Sequence, residues 1–499
     1  MKKINKYLFV MAITATGLLQ SCEDLDVPNE NNPDFDQVLA TPADVETVAA
    51  SIYNTVFSGE HRSNGVEAML ATAADNVTCS WGNFGMRDMS WEPRDMAWNN
   101  SPAYANQGQS KYSYDQWYSA IGSATDVLTA IDINGMVVEV GGVDQTVRAK
   151  AFAKFGLGLA YGNLALVFDK AHVVDEKTTV EPVIETALPY QQVAEVAIAY
   201  LEEALALSDA TFEIPGSWMG SSASLSSADF KKIISTSIAR IMAYLPRNSA
   251  ELAAVNWQRV KTLTDNGITT DWIVEMDGTS RWYFEAGDYL TYPGWGRTDM
   301  YVAHLMEPSL PQHWEDDPTF PHPAKPTDPM DDRLETDFQY MASNDFLAAR
   351  GYYHYSAYRH KRYDDIYTTT IGPKATVMLE ENNLLRAEAR AYLGGAELSD
   401  AANIINAGTR VARGGLAPVS ADLDEIIDAI HHERHVELYT TGCGLQFYEM
   451  RKRDLLQKGT PLHLPIPGRT LELFGINQFY TFGTTANADG LGTSNSGWR

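Results

Sequence analysis

Residues 378–412 read MLEENNLLRAEARAYLGGAELSDAANIINAGTRVA, and their spacing decides the fold. Leu385, Ala389, Tyr392 and Leu393 recur at i, i+4, i+7 and i+8, the stripe of an amphipathic helix. Gly394-Gly395 stops that helix. Ser399 then stands as an N-cap, and Leu398, Ala402 and Ile405 begin a second stripe. Two apolar stripes joined by a Gly turn describe a helical hairpin.

The same pairing recurs outward along the chain. Ile234, Ile238, Ile241, Met242 and Leu245 form one stripe, and Val193, Ala197, Tyr200, Leu201 and Ala204 form another. The segments come in pairs: 148–167 with 190–207, 228–245 with 255–266, and 378–393 with 399–412. Helices near 114–131 and 421–440 stand without an evident partner. Ala151, Ala153, Gly156, Gly158, Ala160 and Gly162 give the 148–167 helix a surface that a neighbour can approach closely. Such pairs resemble tetratricopeptide units, although long insertions break the period. The expected fold is mostly α, an irregular tetratricopeptide-like helical-repeat scaffold with long, loop-rich insertions. The insertions at 79–112 and 267–370 hold most of the loop aromatics, so they are the ligand-facing candidates.

The N-terminus carries its own signal. Lys2, Lys3 and Lys6 precede the short apolar run Tyr7 to Leu19, and Leu19-Gln20-Ser21-Cys22 follows. This is the pattern of a secretory signal, residues 1–21, excluded from the fold. Cys22 at the cut makes it similar to a bacterial lipoprotein signal, with Cys22 the lipidated residue of the mature N-terminus. Glu23, Asp24 and Asp26, then the Pro- and Asn-rich Pro28 to Pro33, read as a solvated tether over 22–40, leaving 41–499 as one domain. No later run is apolar enough to cross a membrane.

Composition limits the partners. The formal charge of −27 becomes −30 when residues 1–21, with their three lysines and no acid, are removed. Such a surface repels phosphate backbones, which excludes nucleic acid. Cys79 and Cys443 are too few for a disulfide scaffold; the sequence leaves open whether they pair, two separate buried thiols being the preferred reading. The 11 tryptophans and 25 tyrosines fall largely in Gly-, Asn- and Pro-rich stretches. Exposed rings there suit a flat amphipathic ligand such as a sugar, whose C–H face stacks on the ring.

Leu384 to Ala389, Glu433 to Tyr439, Gly444 to Lys452 and Leu464 to Pro467 follow one another in the C-terminal third, and in that order they resemble motifs of the SusD/RagB family, cell-surface nutrient-binding lipoproteins of Bacteroidetes. Leu384-Leu385-Arg386-Ala387-Glu388-Ala389 is similar to that family's helix before its last repeat unit. Glu433-Arg434-His435-Val436-Glu437-Leu438-Tyr439 resembles its Glu-Arg-Arg-x-Glu-Leu-x-Phe signature. Gly444-Leu445-Gln446-Phe447-Tyr448-Glu449-Met450-Arg451-Lys452 resembles its Gly-x-Arg-(aromatic)-x-Asp-Leu-Arg-Arg element, and Leu464-Pro465-Ile466-Pro467 its closing Leu-Pro-Ile-Pro, with Asn477 beyond. Weaker echoes lie at Tyr114 to Ile131 and at Ile238 to Leu245, and the family's C-terminal region spans about 270–499. His435, Gln446 and Thr441 depart from the pattern, as does Ser123-Ala124-Thr125, which lacks the family's Asn. These positions read as structural. Glu433, Glu437 and Arg434, with Arg451, Lys452 and Arg453 nearby, are the residue types of ion pairs that lock one helix on the next.

The resemblance implies a non-enzymatic protein, lipid-anchored to the outer membrane and facing the cell exterior. It would capture an oligosaccharide for a SusC-like TonB-dependent outer-membrane transporter, a peptide or other nutrient being the alternative cargo. A surface glycosidase would need two carboxylates flanking a sugar cleft, and none is marked by spacing; an adhesin would bind protein on a concave helical face. The first loop offers Trp81, Asn83, Phe84, Arg87, Trp91 and Trp98 as ligand-binding residues. The second offers Trp282, Tyr283, Tyr292, Trp295, Arg297 and Tyr301, with Trp314 further on. Gly294-Trp295-Gly296-Arg297 is the first choice, two glycines exposing the Trp face beside an Arg.

No cofactor is expected. His431 and His435 lie one helical turn apart without a further ligand to complete a zinc set, and read as packing or surface residues. Glu315-Asp316-Asp317 and Asp328 to Asp332 supply carboxylates of the kind a structural calcium ion uses, but lack EF-hand spacing and read as solvated acidic loops.

Overall fold

The computed structural model describes residues 39–499, apart from 80–81, 97, 179–185, 314–323, 343–354, 477 and 486. The signal, Cys22 and the tether therefore lie outside the described residues. Ten helices build the scaffold among those described: α1 Pro42–His61, α2 Gln107–Leu128, α3 Thr146–Val167, α4 Tyr190–Leu207, α5 Ser227–Tyr244, α6 Trp257–Asp265, α7 Leu379–Leu393, α8 Glu397–Ala407, α9 Leu423–Val436 and α10 Leu445–Lys452. Six strands matter for the insertions: β1 Val77–Cys79, β2 Trp272–Asp277, β3 Gly296–Thr298, β4 Phe338–Tyr340, β5 Tyr358–His360 and β6 Ile371–Val377.

The helices stack as neighbours in the order α1, α2, α3, α4, α5, α6, α7, α8, with α9 against α7. The fold is mostly α and tetratricopeptide-like, as the spacing predicts. The orphan helix near 114–131 begins at Gln107, ends at Leu128 and packs on α1, a helix the periodic reading did not single out. Local chemistry explains the start of α1: Thr41 accepts a hydrogen bond from the Asp44 N–H while the Asp44 carboxylate accepts one from the Thr41 N–H at 2.9 Å, a capping box with Pro42 in the first turn. Ser399 is not an N-cap. Helix α8 starts at Glu397, directly after the Gly394-Gly395 turn, so Ser399 sits inside its first turn. Helix α8 ends at Ala407 with Gly408 as its C-cap, and 409–412 form a separate short turn of helix.

The small-residue surface of α3 does what its composition predicts. A Cβ at Gly156 would lie 2.1 Å from Cγ2 of Ile52 on α1, at Gly158 2.4 Å from Cγ of Leu201 on α4, and at Gly162 2.6 Å from Cδ1 of Ile241 on α5. Helix α3 is thus buried almost all round and serves as the centre of the first half.

The acid–base locking of helices is also present, with different partners. Arg434 pairs with Glu388 of α7 at 2.6 Å and with Glu449 of α10, while Lys452 pairs with Glu388 and lies 3.4 Å from Glu449. Arg453 reaches Asp428 at 3.0 Å. Glu433 and Glu437 turn instead to the insertion: Arg333 binds Glu433 at 2.7 Å and Glu437 at 3.1 Å, and Arg362 binds Glu437 at 2.9 Å. Arg413 adds a third guanidinium on Glu437 at 2.6 Å. Arg451 makes no carboxylate pair in this set; it donates to the carbonyls of Leu166, Leu462 and Tyr244 at 2.8–3.0 Å. The departures His435 and Gln446 are structural: Gln446 donates to the Arg434 and Leu438 carbonyls at 2.8 and 2.9 Å, and His435 is fully buried against Asn76. His431 and His432 are buried too, bonded to Tyr301 and Asp331 respectively. Asp331 is a buried partner of Arg333 rather than a solvated loop residue, and Glu315-Asp316-Asp317 lie outside the described residues. Cys443 is a free, buried thiol.

Two outcomes are expected. Gly156→Ala lowers stability by about 1–3 kcal/mol in urea unfolding despite the better helix propensity of Ala, because the added methyl overpacks Ile52; in an Ile52→Ala background the same change loses most of that penalty. Burial alone would raise the Glu437 carboxyl, but Arg362, Arg413 and Arg333 together hold it below the usual carboxylate range. Its contribution is therefore present above the unfolded value near about pH 4.3 and is lost as pH falls through the lower folded value. Calorimetric melts between pH 7 and 3 are expected to show Tm falling below that point, and Glu437→Gln to remove about 3–5 kcal/mol at neutral pH by leaving three guanidiniums short of a partner.

Candidate functional site

The two aromatic-rich insertions meet through a short ladder. β1 pairs antiparallel with β3, Val77 opposite Thr298, Thr78 opposite Arg297 and Cys79 opposite Gly296. This brings the loop after β1 beside the turn before β3. Tyr292-Pro293-Gly294-Trp295 forms that turn, the Trp295 N–H donating to the Tyr292 carbonyl at 3.0 Å. Pro293 and Gly294 are the residue types for its two central positions. A Cβ at Gly296 would fall 1.8 Å from the Leu290 carbonyl oxygen, so the chain can leave the turn only through glycine.

Four rings gather here. Tyr289 and Trp295 stack with centroids 5.9 Å apart and planes 16° apart. Phe84 meets Tyr289 edge-on at 4.7 Å, and Tyr292 lies 6.5 Å from Trp295. Trp295 keeps 37% of its surface exposed and Tyr292 53%. Asn83 is exposed beside Phe84. Phe84 itself has φ +55 and ψ +33, between Gly82 and Gly85 in the same left-handed region. A bulky residue there costs of order 1–3 kcal/mol and persists only where its surroundings hold it. Further along the loop, the Arg87 guanidinium lies 4.9 Å over the Trp91 ring, both half-buried. The arrangement is a platform of rings with amide and guanidinium groups along one loop, suited to stacking on an apolar face and reading hydroxyls at its edge.

Solved structures with this architecture are numerous. A SusD superfamily protein from Parabacteroides distasonis superposes with a TM-score of 0.58 at 13% identity, over 84% of this chain and 89% of that one. A SusD homolog from Bacteroides thetaiotaomicron gives 0.56 at 16% identity, over 82% and 88%. A SusD-like carbohydrate binding protein from Bacteroides vulgatus gives 0.55 at 18% identity, over 84% and 83%. The fold is that of the SusD superfamily. Comparison of the sequence with protein-family models and with curated proteins finds no match.

Within this SusD-like fold the sequence-predicted site residues separate into groups. Asn83, Phe84, Tyr292 and Trp295 are at the platform, and Arg87 and Trp91 pair beside them in sequence. Trp81 and Trp314 lie outside the described residues. Trp98 is 0% exposed, its ring edge-on to Tyr104 at 5.0 Å, so it packs beneath the first loop and offers no face. Trp282 is core as well, 5.6 Å from Tyr53 and 5.2 Å from Phe57. Tyr283 is half-buried, its hydroxyl spent on Asp288. Arg297 is buried and donates to the Pro293 and Gly296 carbonyls at 2.6 and 2.8 Å; it braces the Trp295 turn and does not present itself to a ligand. Tyr301 is buried in the short helix Met300–Met306 that follows β3, hydrogen-bonded to His431 at 2.7 Å.

Tyr289 was not among the sequence candidates. The available signal is its place three residues before Tyr292, near the end of the short helix Glu285–Thr291. The first loop is fastened from behind by the C-terminal residues: Asn100 donates to the Ile466 and Tyr480 carbonyls at 2.8 and 2.9 Å, and Gln457 to Asp75 and Glu92 at 3.1 and 2.9 Å. The Trp498 indole N–H donates to Asp75 at 2.5 Å.

Gly296→Ala is the direct check on how the platform is held. Its methyl must push against the Leu290 carbonyl, so tryptophan fluorescence is expected to shift and stability to fall by about 1–3 kcal/mol. An unchanged spectrum would show that β3 leaves the turn by another path.

Proposed function

We propose that this chain is a cell-surface glycan-binding lipoprotein that captures an oligosaccharide and passes it to a SusC-like TonB-dependent transporter of the outer membrane. The observation that carries the reading is the half-exposed Phe84–Tyr289–Tyr292–Trp295 platform, preorganised by the β1–β3 ladder. Rings held in place before ligand arrives lose little freedom on binding, which favours weakly polar, flat partners. The likeness to a SusD-like carbohydrate binding protein supports the same ligand class.

In this reading residues 1–21 direct export, lipidated Cys22 anchors the chain, 22–40 is a tether and 41–499 acts as one unit facing the exterior. Membrane retention then rests on the lipid together with docking to the transporter, since a single acyl chain binds only marginally. The chain acts by binding and not by catalysis: carboxylates near the rings are engaged, Asp88 by Tyr104 and Asp288 by Tyr283.

A calorimetric screen of neutral and acidic oligosaccharides tests this. Binding to one sugar class is expected, with Trp295→Ala raising Kd at least tenfold (about 1.4 kcal/mol) while Tm stays within a few degrees. Unchanged affinity in that variant would remove the platform from the account. Binding to peptides alone would reassign the cargo.

A further inference from the structure

A second site is lined by residues that take no part in the platform. A groove of about 640 Å³ opens between α9 and the 410–419 segment, lined by Arg410, Arg453, Tyr301, Asp428, His431 and His432. Glu425 also lines it, its carboxylate accepting from the Ser420 N–H at 2.8 Å, and the rest of the wall is apolar, with Leu305, Pro418, Val419 and Leu455. The neighbouring guanidiniums Arg333, Arg362, Arg413 and Arg434 all sit on carboxylates. Arg410 does not. Among the described residues its side chain makes no hydrogen bond or ion pair, and its Nε is buried without a partner. Burial lowers the affinity of this guanidinium for its proton, as expected of a charge that no group nearby compensates in full. Arg453 is half committed: Nη2 donates to Asp428 at 3.0 Å, while Nη1 is buried without a hydrogen bond, 3.6 Å from Glu449. Three of the four nitrogens of the two histidines already meet Tyr301, Glu449 and Asp331.

We propose that this groove binds a small carboxylate, with Arg410 as the residue that holds it. An unpaired guanidinium at the wall of an open groove is the geometry a planar, two-oxygen acceptor satisfies. The chain's net charge is strongly negative, so anions are not drawn here by the overall field; recognition has to come from local contact. The apolar wall accommodates the carbon body that carries the acid. A sugar acid and a peptide C-terminus share this chemistry. The site is separate from the ring platform and does not rest on it.

The test uses the full chain in detergent and isothermal titration with two pairs of probes. One pair is digalacturonate and neutral galactobiose; the other is trialanine and trialanine amide. At least one acid is expected to bind tenfold or more tightly than its neutral counterpart, and the pair that shows the difference identifies the source of the carboxylate. Arg410→Gln should abolish that preference and Arg410→Lys retain part of it, while Trp295→Ala leaves it intact. Asp428→Asn, which releases Arg453 Nη2 from a surface carboxylate, should tighten acid binding severalfold. Equal binding of acid and neutral probes, a preference that survives Arg410→Gln, or weaker acid binding in Asp428→Asn would each overturn the proposal.

Discussion

One buried carboxylate, Glu437, sits among three guanidiniums drawn from different parts of the chain, and the position of the insertions depends on it. Arg333 and Arg362 come from the 267–370 insertion and Arg413 from the turn after α8. Charges taken out of water in this way tolerate no partial loss, because any unpaired member carries its full desolvation penalty. The connection continues to the rings. Arg362 follows β5, whose Arg359 donates to the Thr291 carbonyl, and Ser356 just before β5 donates to the Thr298 carbonyl of β3 at 2.5 Å. These polar contacts act together with the apolar core, against which Phe84 and Tyr289 also pack.

That dependence on contacts between distant segments explains what the sequence made legible. Helical stripes are local, so 190–207 and 227–244 can be read from spacing alone, and the Gly-rich face of α3 announces its crowding. Register between distant segments is not local. Trp98, Trp282 and Trp295 all stand in Gly- and Pro-containing stretches, yet two are core and one faces water. The deciding fact is the β1–β3 ladder, which joins residues about 219 apart in sequence. Arg297 misleads for the same reason: beside an exposed Trp it looks like a ligand group, while its backbone position turns it inward to hold carbonyls. The motif residues at 433–452 reveal that ion pairs exist but not their partners, since Arg333 and Arg362 belong to no motif.

The platform combines a loop under backbone strain with a turn that only glycine can leave. Phe84 is kept left-handed by Gly82 and Gly85 on either side and by Tyr289 against its ring. Both devices remove freedom from the rings before any ligand arrives. A surface built so is shaped for one class of partner, and its affinity depends on placement more than on area.

The contacts behind the first loop have a consequence for how the chain comes together. Asp75 is bonded by Trp498, 423 positions later, and Trp98 is bonded by Thr481, 383 positions later. Contacts of such separation carry a loop-closure cost, because the intervening chain must be brought round before they can reward it. The set of partners around 75–100 is therefore complete only when the final residues are in place. Loss of the last few residues would thus be felt at the other end of the chain, where the Asp75 carboxylate would lose a donor.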